Sequence, residues 1–128
     1  MIKIAINGFG RIGRNLFRLL LNHPHIQVVG INDLADNKTM AHLLKYDSIH
    51  GVLADEISYD EQGILVSGQH YRFFQEKNIS EIGWAQLSPD FVIEATGKFK
   101  THSEIYQHIA AGAKRVILSA PSEVPEIK

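Results

Sequence analysis

The chain opens with an apolar run, Ile2-Lys3-Ile4-Ala5-Ile6-Asn7, that breaks into Gly8-Phe9-Gly10-Arg11-Ile12-Gly13 and passes into helix-like sequence. A strand, a Gly-x-Gly-x-x-Gly turn and a helix in that order admit few folds, because each glycine answers a different need. The first lets the strand reverse tightly, and the second leaves no Cβ between the backbone and a pyrophosphate. The third brings the helix close to the sheet, with its unpaired N–H groups facing an anion. The spacing alone is a weak signal. Here it has a strand before it and a helix after it, and an acidic residue follows where a ribose would lie.

That residue is Asp33. After the turn, Leu16, Phe17, Leu20 and Leu21 recur at helical spacing, and Asn22-His23-Pro24 breaks the helix. Ile26-Gln27-Val28-Val29-Gly30-Ile31-Asn32 is β-branched and reads as a second buried strand. Asp33 then stands at that strand's carboxyl end, about 20 residues beyond Gly13, as a dinucleotide fold requires. A carboxylate there accepts both hydroxyls of an adenosine ribose and repels a 2′-phosphate, so NAD is favoured over NADP. The competing reading of Asp33 is a turn or helix cap, a task for which Asp36 is better placed.

Further along, Asp36 to Tyr46 reads as a helix with Met40, Leu43 and Leu44 on one face, and residues 47–51 as a loop. From Val52 to Phe74 short alternating runs separated by Asp60-Glu61-Gln62-Gly63 and Ser67-Gly68-Gln69 predict a small antiparallel meander inserted into the β-α alternation. Glu76 to Leu87 is expected to be irregular, with a helical turn near Ile79 to Ile82 and Trp84 anchoring it to the core. Asp90-Phe91-Val92-Ile93-Glu94-Ala95-Thr96-Gly97 restores a parallel-type strand that ends in a second Thr-Gly turn. A helix from Ser103 to Ala111, buried through Ile105, Tyr106 and Ile109 and closed at Gly112, leads to a last strand over Arg115 to Ser119. The fold class is α/β: one Rossmann-type domain over residues 1–128, a doubly wound, mostly parallel sheet with a small antiparallel meander insertion. Gly8, Asn32, Asp33, Thr96, Gly97, Ser119 and Ala120 all fall at carboxyl ends of strands, where such sheets bind ligands.

The composition narrows the partners. A net charge of −1 offers no basic field for a nucleic-acid backbone, and no stretch is apolar enough to span a membrane. A strand beginning at Ile2 leaves no signal peptide to expect, so a cytoplasmic setting is predicted. The absence of cysteine excludes disulfides, thiolate metal sites and a cysteine nucleophile. None of the seven histidines pairs at the helical spacing of a zinc site, so no metal is expected and the histidines read as solvated or capping. Glu94 reads as held by hydrogen bonds rather than as a general base. Arg11 and Arg14 read partly as structural ion-pair partners, Phe73-Phe74 as core, and Phe99 equally as core or as a wall of the adenine pocket.

Five blocks together resemble glyceraldehyde-3-phosphate dehydrogenase: Asn7 to Arg14, Asn32-Asp33-Leu34, His42 to Ser48 with His50-Gly51, Glu94-Ala95-Thr96-Gly97, and Ala111 to Lys114 through Ser119-Ala120-Pro121. They occur in order and at the family's spacing along the whole chain. The resemblance implies that Gly8, Phe9, Gly10, Arg11 and Ile12 line the pyrophosphate, and that Asp33 holds the ribose with Asn32 and Leu34 beside the adenine end. It further implies Lys77, Thr96, Gly97 and Phe99 on the adenine side and Ser119 and Ala120 toward the nicotinamide. Lys45-Tyr46-Asp47 would shape the loop under the cofactor and touch neighbouring subunits. The sequence departs from the family at Asn78, where an Asp-Pro pair is common, and at Lys98, where a small or apolar residue is common. The family's Ser-Cys-Thr-Thr-Asn nucleophile segment is absent, so the chain is expected to bind cofactor without turning over substrate. The expected function is therefore the NAD-binding domain of a phosphorylating enzyme that is a homotetramer in full-length form. Two alternatives stand beside it: the corresponding domain of erythrose-4-phosphate dehydrogenase, or a free-standing NAD-binding module. The isolated piece is also expected to self-associate through an exposed sheet edge.

Overall fold

A computed structural model describes residues 1–21, 23–46, 53, 55–99 and 101–119. The chain runs β1 (Ile2–Asn7), α1 (Arg11–Leu20), β2 (Ile26–Asn32) and α2 (Asn37–Tyr46), then a meander of β3 (Ile57–Tyr59), β4 (Gly63–Val66) and β5 (Gln69–Phe74). A 3-10 turn (Ile79–Glu81), α3 (Trp84–Leu87), β6 (Phe91–Glu94), α4 (His102–Ala110) and β7 (Arg115–Leu118) complete it. One seven-stranded sheet takes the order β3-β4-β5-β2-β1-β6-β7. Strands β5, β2, β1, β6 and β7 pair in parallel, whereas β3-β4 and β4-β5 are antiparallel. The sheet is thus the mostly parallel α/β arrangement that the sequence predicts. The meander is not a detached flap, because its third strand, β5, docks alongside β2 and carries the parallel sheet outward.

Alternation along β1 sends Ile4 and Ile6 to one face and Ala5 and Asn7 to the other. On the first face Ile4, Ile6, Val28, Ile31 and Phe73 pack against Phe17 of α1 and Met40 and Leu44 of α2. Phe9 lies edge-on between Phe73 and Phe17, with ring centroids 5.2 Å and 5.7 Å away, and Phe17 meets Tyr71 at 4.8 Å. The opposite face joins Ala5, Val92 and Phe74 to Ile79, Ile82, Trp84 and Ala113. Trp84 is fully buried, the anchor expected of that segment.

Helix α2 is capped by Asp36, whose Oδ1 accepts the Thr39 N–H at 2.7 Å. Hydrogen bonds from the Thr39 side chain and backbone hold this carboxyl below its ordinary range. At the other end Arg18 of α1 donates to the Leu44 and Lys45 carbonyls at 2.6 Å and 3.2 Å.

Helix α4 departs from expectation. Its Thr101–Glu104 capping box starts it cleanly, but Tyr106 is 57% exposed and Ile109 39% exposed. The inward positions are Ile105 and His108, and His108 is fully buried. Residue 108 follows 105 by three, so it shares the inward face that Tyr106 leaves. Hydrophobicity favoured Tyr106 and Ile109; the deciding interactions of His108 are polar and come from elsewhere in the chain. The readings that fall on Asn22, residues 47–51, Val52 and Ala120-Pro121 lie outside the described residues. Among the described residues no helix is long and apolar enough to cross a membrane, and no group of three or more His, Cys, Asp or Glu side chains could hold a metal ion.

Candidate functional site

The chain leaves β1 for β2 on one side and returns to β6 on the other, which opens a crevice at the carboxyl ends of these strands. A cleft of about 460 Å³ occupies it, lined by residues of the β1 turn, the β2 end, the Glu76–Asn78 segment and the loop after β6. The glycine turn forms one wall. Gly8 has φ +100°, and a Cβ there would lie 2.8 Å from the Thr96 nitrogen. At Gly13 a Cβ would strike the Gly8 carbonyl oxygen, so the third glycine is what lets α1 sit against the turn. Gly10 is different: it has an ordinary negative φ, and nothing lies within 4 Å of where its Cβ would be. Its missing side chain is open space at the mouth of α1. Gly10 is also the N-cap residue and supplies no side-chain cap, so the first-turn N–H groups face that space. The cradle that a pyrophosphate needs is present in the backbone.

Asp33 forms the facing wall. Its Oδ2 accepts the Phe9 N–H at 2.8 Å and its Oδ1 accepts the Ala35 N–H at 3.0 Å. Each carboxylate oxygen has a second lone pair, so two acceptor positions are left for a diol. The carboxylate therefore braces the glycine turn and also borders the cleft.

Beneath the cleft lies a row of polar side chains. Register places Asn32, Asn7 and Glu94 side by side on β2, β1 and β6. Asn32 Nδ2 donates to Asn7 Oδ1 at 2.8 Å, and Asn7 Nδ2 donates to Glu94 Oε1 at 2.7 Å. Glu94 is fully buried, and its Oε2 takes the Thr96 N–H at 3.0 Å and the Thr96 hydroxyl at 2.6 Å. Asn32 also clasps the backbone of Glu76, accepting its N–H at 2.9 Å and donating to its carbonyl at 3.0 Å. Glu94 is thus held by hydrogen bonds, as its sequence position suggests.

Of the residues singled out in the sequence, Gly8, Gly10, Asn32, Asp33, Leu34, Lys77, Thr96 and Phe99 meet at the cleft. Phe9 is fully buried with its ring in the core, so it offers the site only backbone. Arg11 and Ile12 are exposed on the first turn of α1, and Gly97 is exposed beyond Thr96. Ser119 donates its hydroxyl to the Glu94 carbonyl at 2.9 Å and does not line the cleft, and Ala120 lies outside the described residues. Lys45 and Tyr46 do not line the cleft: they end α2, and Lys45 Nζ donates to the Asp55 carbonyl at 2.7 Å. Asn7, Glu76 and Ala95 line the cleft without having been singled out for it, and Asn78 and Lys98, noted only as departures, line it too. A signal for Asn7 was available, since Asn7, Asn32 and Glu94 are each the polar last residue of an apolar run.

The family model described as "Glyceraldehyde 3-phosphate dehydrogenase, NAD binding domain" matches residues 2–102. Glyceraldehyde-3-phosphate dehydrogenase 1 of Bacillus cereus is 46% identical over 127 residues, covering 99% of this chain and 38% of that protein. The glyceraldehyde-3-phosphate dehydrogenase of Streptomyces coelicolor is 48% identical over 127 residues, 98% of this chain and 38% of its own length. The Thermotoga maritima enzyme is 46% identical over 129 residues, 99% of this chain and 39% of its own. The chain therefore spans about two fifths of the length of these relatives.

Proposed function

The chain belongs to the glyceraldehyde 3-phosphate dehydrogenase family, as its NAD-binding domain, and from that premise we propose that its cleft holds NAD with the pyrophosphate at the glycine turn and the adenosine ribose on Asp33. In this reading Gly8, Phe9, Gly10, Arg11 and Ile12 line the pyrophosphate, with the N–H groups of Gly10, Arg11 and Ile12 toward the phosphates, since Gly8 and Phe9 already donate to the Asn32 carbonyl and the Asp33 carboxylate. Asn32 and Leu34 flank the ribose, and Lys77, Thr96, Gly97 and Phe99 surround the adenine side. Ser119 and Ala120 border the nicotinamide end. Bound NAD supplies a hydride acceptor; the chain itself supplies binding and orientation.

The larger proposal follows from the relatives. The domain serves an enzyme that oxidises glyceraldehyde 3-phosphate with NAD and phosphate, working as a homo-oligomer in the cytoplasm without nucleic-acid or membrane partners. The 128-residue chain contains no cysteine, so it lacks the thiolate such an oxidation uses and should bind cofactor without turnover.

The observation that carries the reading is the contrast among the three glycines, because only Gly10 faces unfilled space. Gly10→Ala fits the backbone of the free protein and puts a methyl where the pyrophosphate belongs. Titration calorimetry should show NAD affinity reduced at least about tenfold, with an unchanged melting temperature. An alanine variant that binds NAD as tightly as the natural chain would contradict the assignment.

A further inference from the structure

His108 and Glu94 are both fully buried, and hydrogen-bond geometry fixes their roles. Trp84 Nε1 lies 3.0 Å from His108 Nδ1. An indole N–H can only donate, so Nδ1 is the acceptor and carries no proton. The ring proton then sits on Nε2, which donates to Glu94 Oε1 at 2.8 Å. Polarity therefore runs one way from α3 through α4 to the end of β6. It meets at Glu94 the opposite run from Asn32 and Asn7. Because a carboxylate only accepts, Asn7 must turn its amide nitrogen to Glu94 and its oxygen to Asn32. Asn32 is oriented in turn, and with it the Glu76 backbone on the far side of the cleft. The other Glu94 oxygen holds Thr96 on the near side.

We propose that Glu94 and His108 are positioning residues for the cofactor. From beneath the cleft, without touching the ligand, they set the orientation of Asn7, Asn32 and Thr96, so that affinity for NAD depends on the buried His108–Glu94 contact. This inference rests on the cleft being the NAD site. Its physical basis is pre-organisation: if Glu94 loses its His108 partner, the amides and the Thr96 turn gain alternative arrangements. Binding must then order them again.

The test measures NAD affinity by calorimetry on the full chain and three variants, each first checked for a cooperative melt and for emission of Trp84, the single tryptophan. The natural chain should bind NAD; failure there would sink the cofactor reading itself. His108→Leu, which fills the space without a donor, should lose about tenfold in affinity. His108→Gln, which keeps a donor toward Glu94, should stay within about twofold of the natural chain. Ile64→Ala, a core truncation in β4 that touches none of this network, should lower the melting temperature and leave affinity unchanged. Should His108→Leu fail to fold, Glu94→Gln replaces it, since an amide has one oxygen for donors that need two, and about a tenfold loss is again expected. Full affinity in a folded His108→Leu or Glu94→Gln protein would overturn the proposal. So would an equal loss of affinity in Ile64→Ala, which would make the effect one of general stability.

Discussion

The two faces of the sheet are closed by different physics. Under α1 and α2 the contact is mostly hydrocarbon and ring edges: Phe73, Phe9, Phe17 and Tyr71 stack edge to face, and the arginines of α1, Arg14 and Arg18, reach only backbone carbonyls, of Phe9 and of Leu44 and Lys45. Under α3 and α4 the apolar patch around Trp84 continues into a chain of directed hydrogen bonds ending at the cleft floor. Stacked rings and hydrocarbon tolerate repacking at modest cost. A buried polar chain does not, because each member fixes which way its neighbour points, and a missing partner leaves an unsatisfied group behind. The face beneath the cleft is thus the more precise one and the more easily broken.

Substitutions should expose this difference. Glu94→Ala strips acceptors from Asn7, Thr96 and His108 at once, and should destabilise the fold by about 3 kcal/mol or more in urea denaturation. Phe17→Leu on the other face keeps most of the buried volume, and should cost about 1 kcal/mol with NAD affinity unaltered. Similar losses for the two would erase the distinction. The smallest effect belongs to the surface. Hydrogen bonds from the Lys3 backbone and the Lys114 side chain hold the Asp90 carboxyl below its ordinary value of 3.8. The His70 side chain and the Gln62 backbone do the same for Asp60, and Thr39 does so for Asp36. A depressed folded-state value stabilises the protein at pH above 3.8, and that contribution is lost as the pH falls through the folded value. Denaturation midpoints should therefore fall gradually on acidification below about pH 4, whichever face has been weakened. Midpoints independent of pH in that range would show that these turns contribute nothing.

What was legible in the sequence was local. The glycine turn, the Asp36 cap and the β-branched strands each state their conformation within a few residues, and they lead directly to a parallel sheet with a crevice at its carboxyl ends. Trp84 was legible as an anchor because a tryptophan in a polar stretch has few other uses. His108 was not, since its partners are Trp84 and Glu94, 24 and 14 residues away. A histidine among Tyr106 and Ile109 carries no local mark of burial. The docking of β5 beside β2 was hidden for the same reason: hairpin signals specify the meander, but nothing local says which strand it will join. Asp33 was legible as the acidic residue that closes β2, yet its bonds to Phe9 and Ala35 appear only in three dimensions.

The most direct test is a crystal structure of the chain grown with saturating NAD. Density for the pyrophosphate against Gly10 and the first turn of α1, with the adenosine hydroxyls on the Asp33 carboxylate, is the predicted result. A cleft that stays empty under those conditions, or a cofactor bound at another surface, would contradict it.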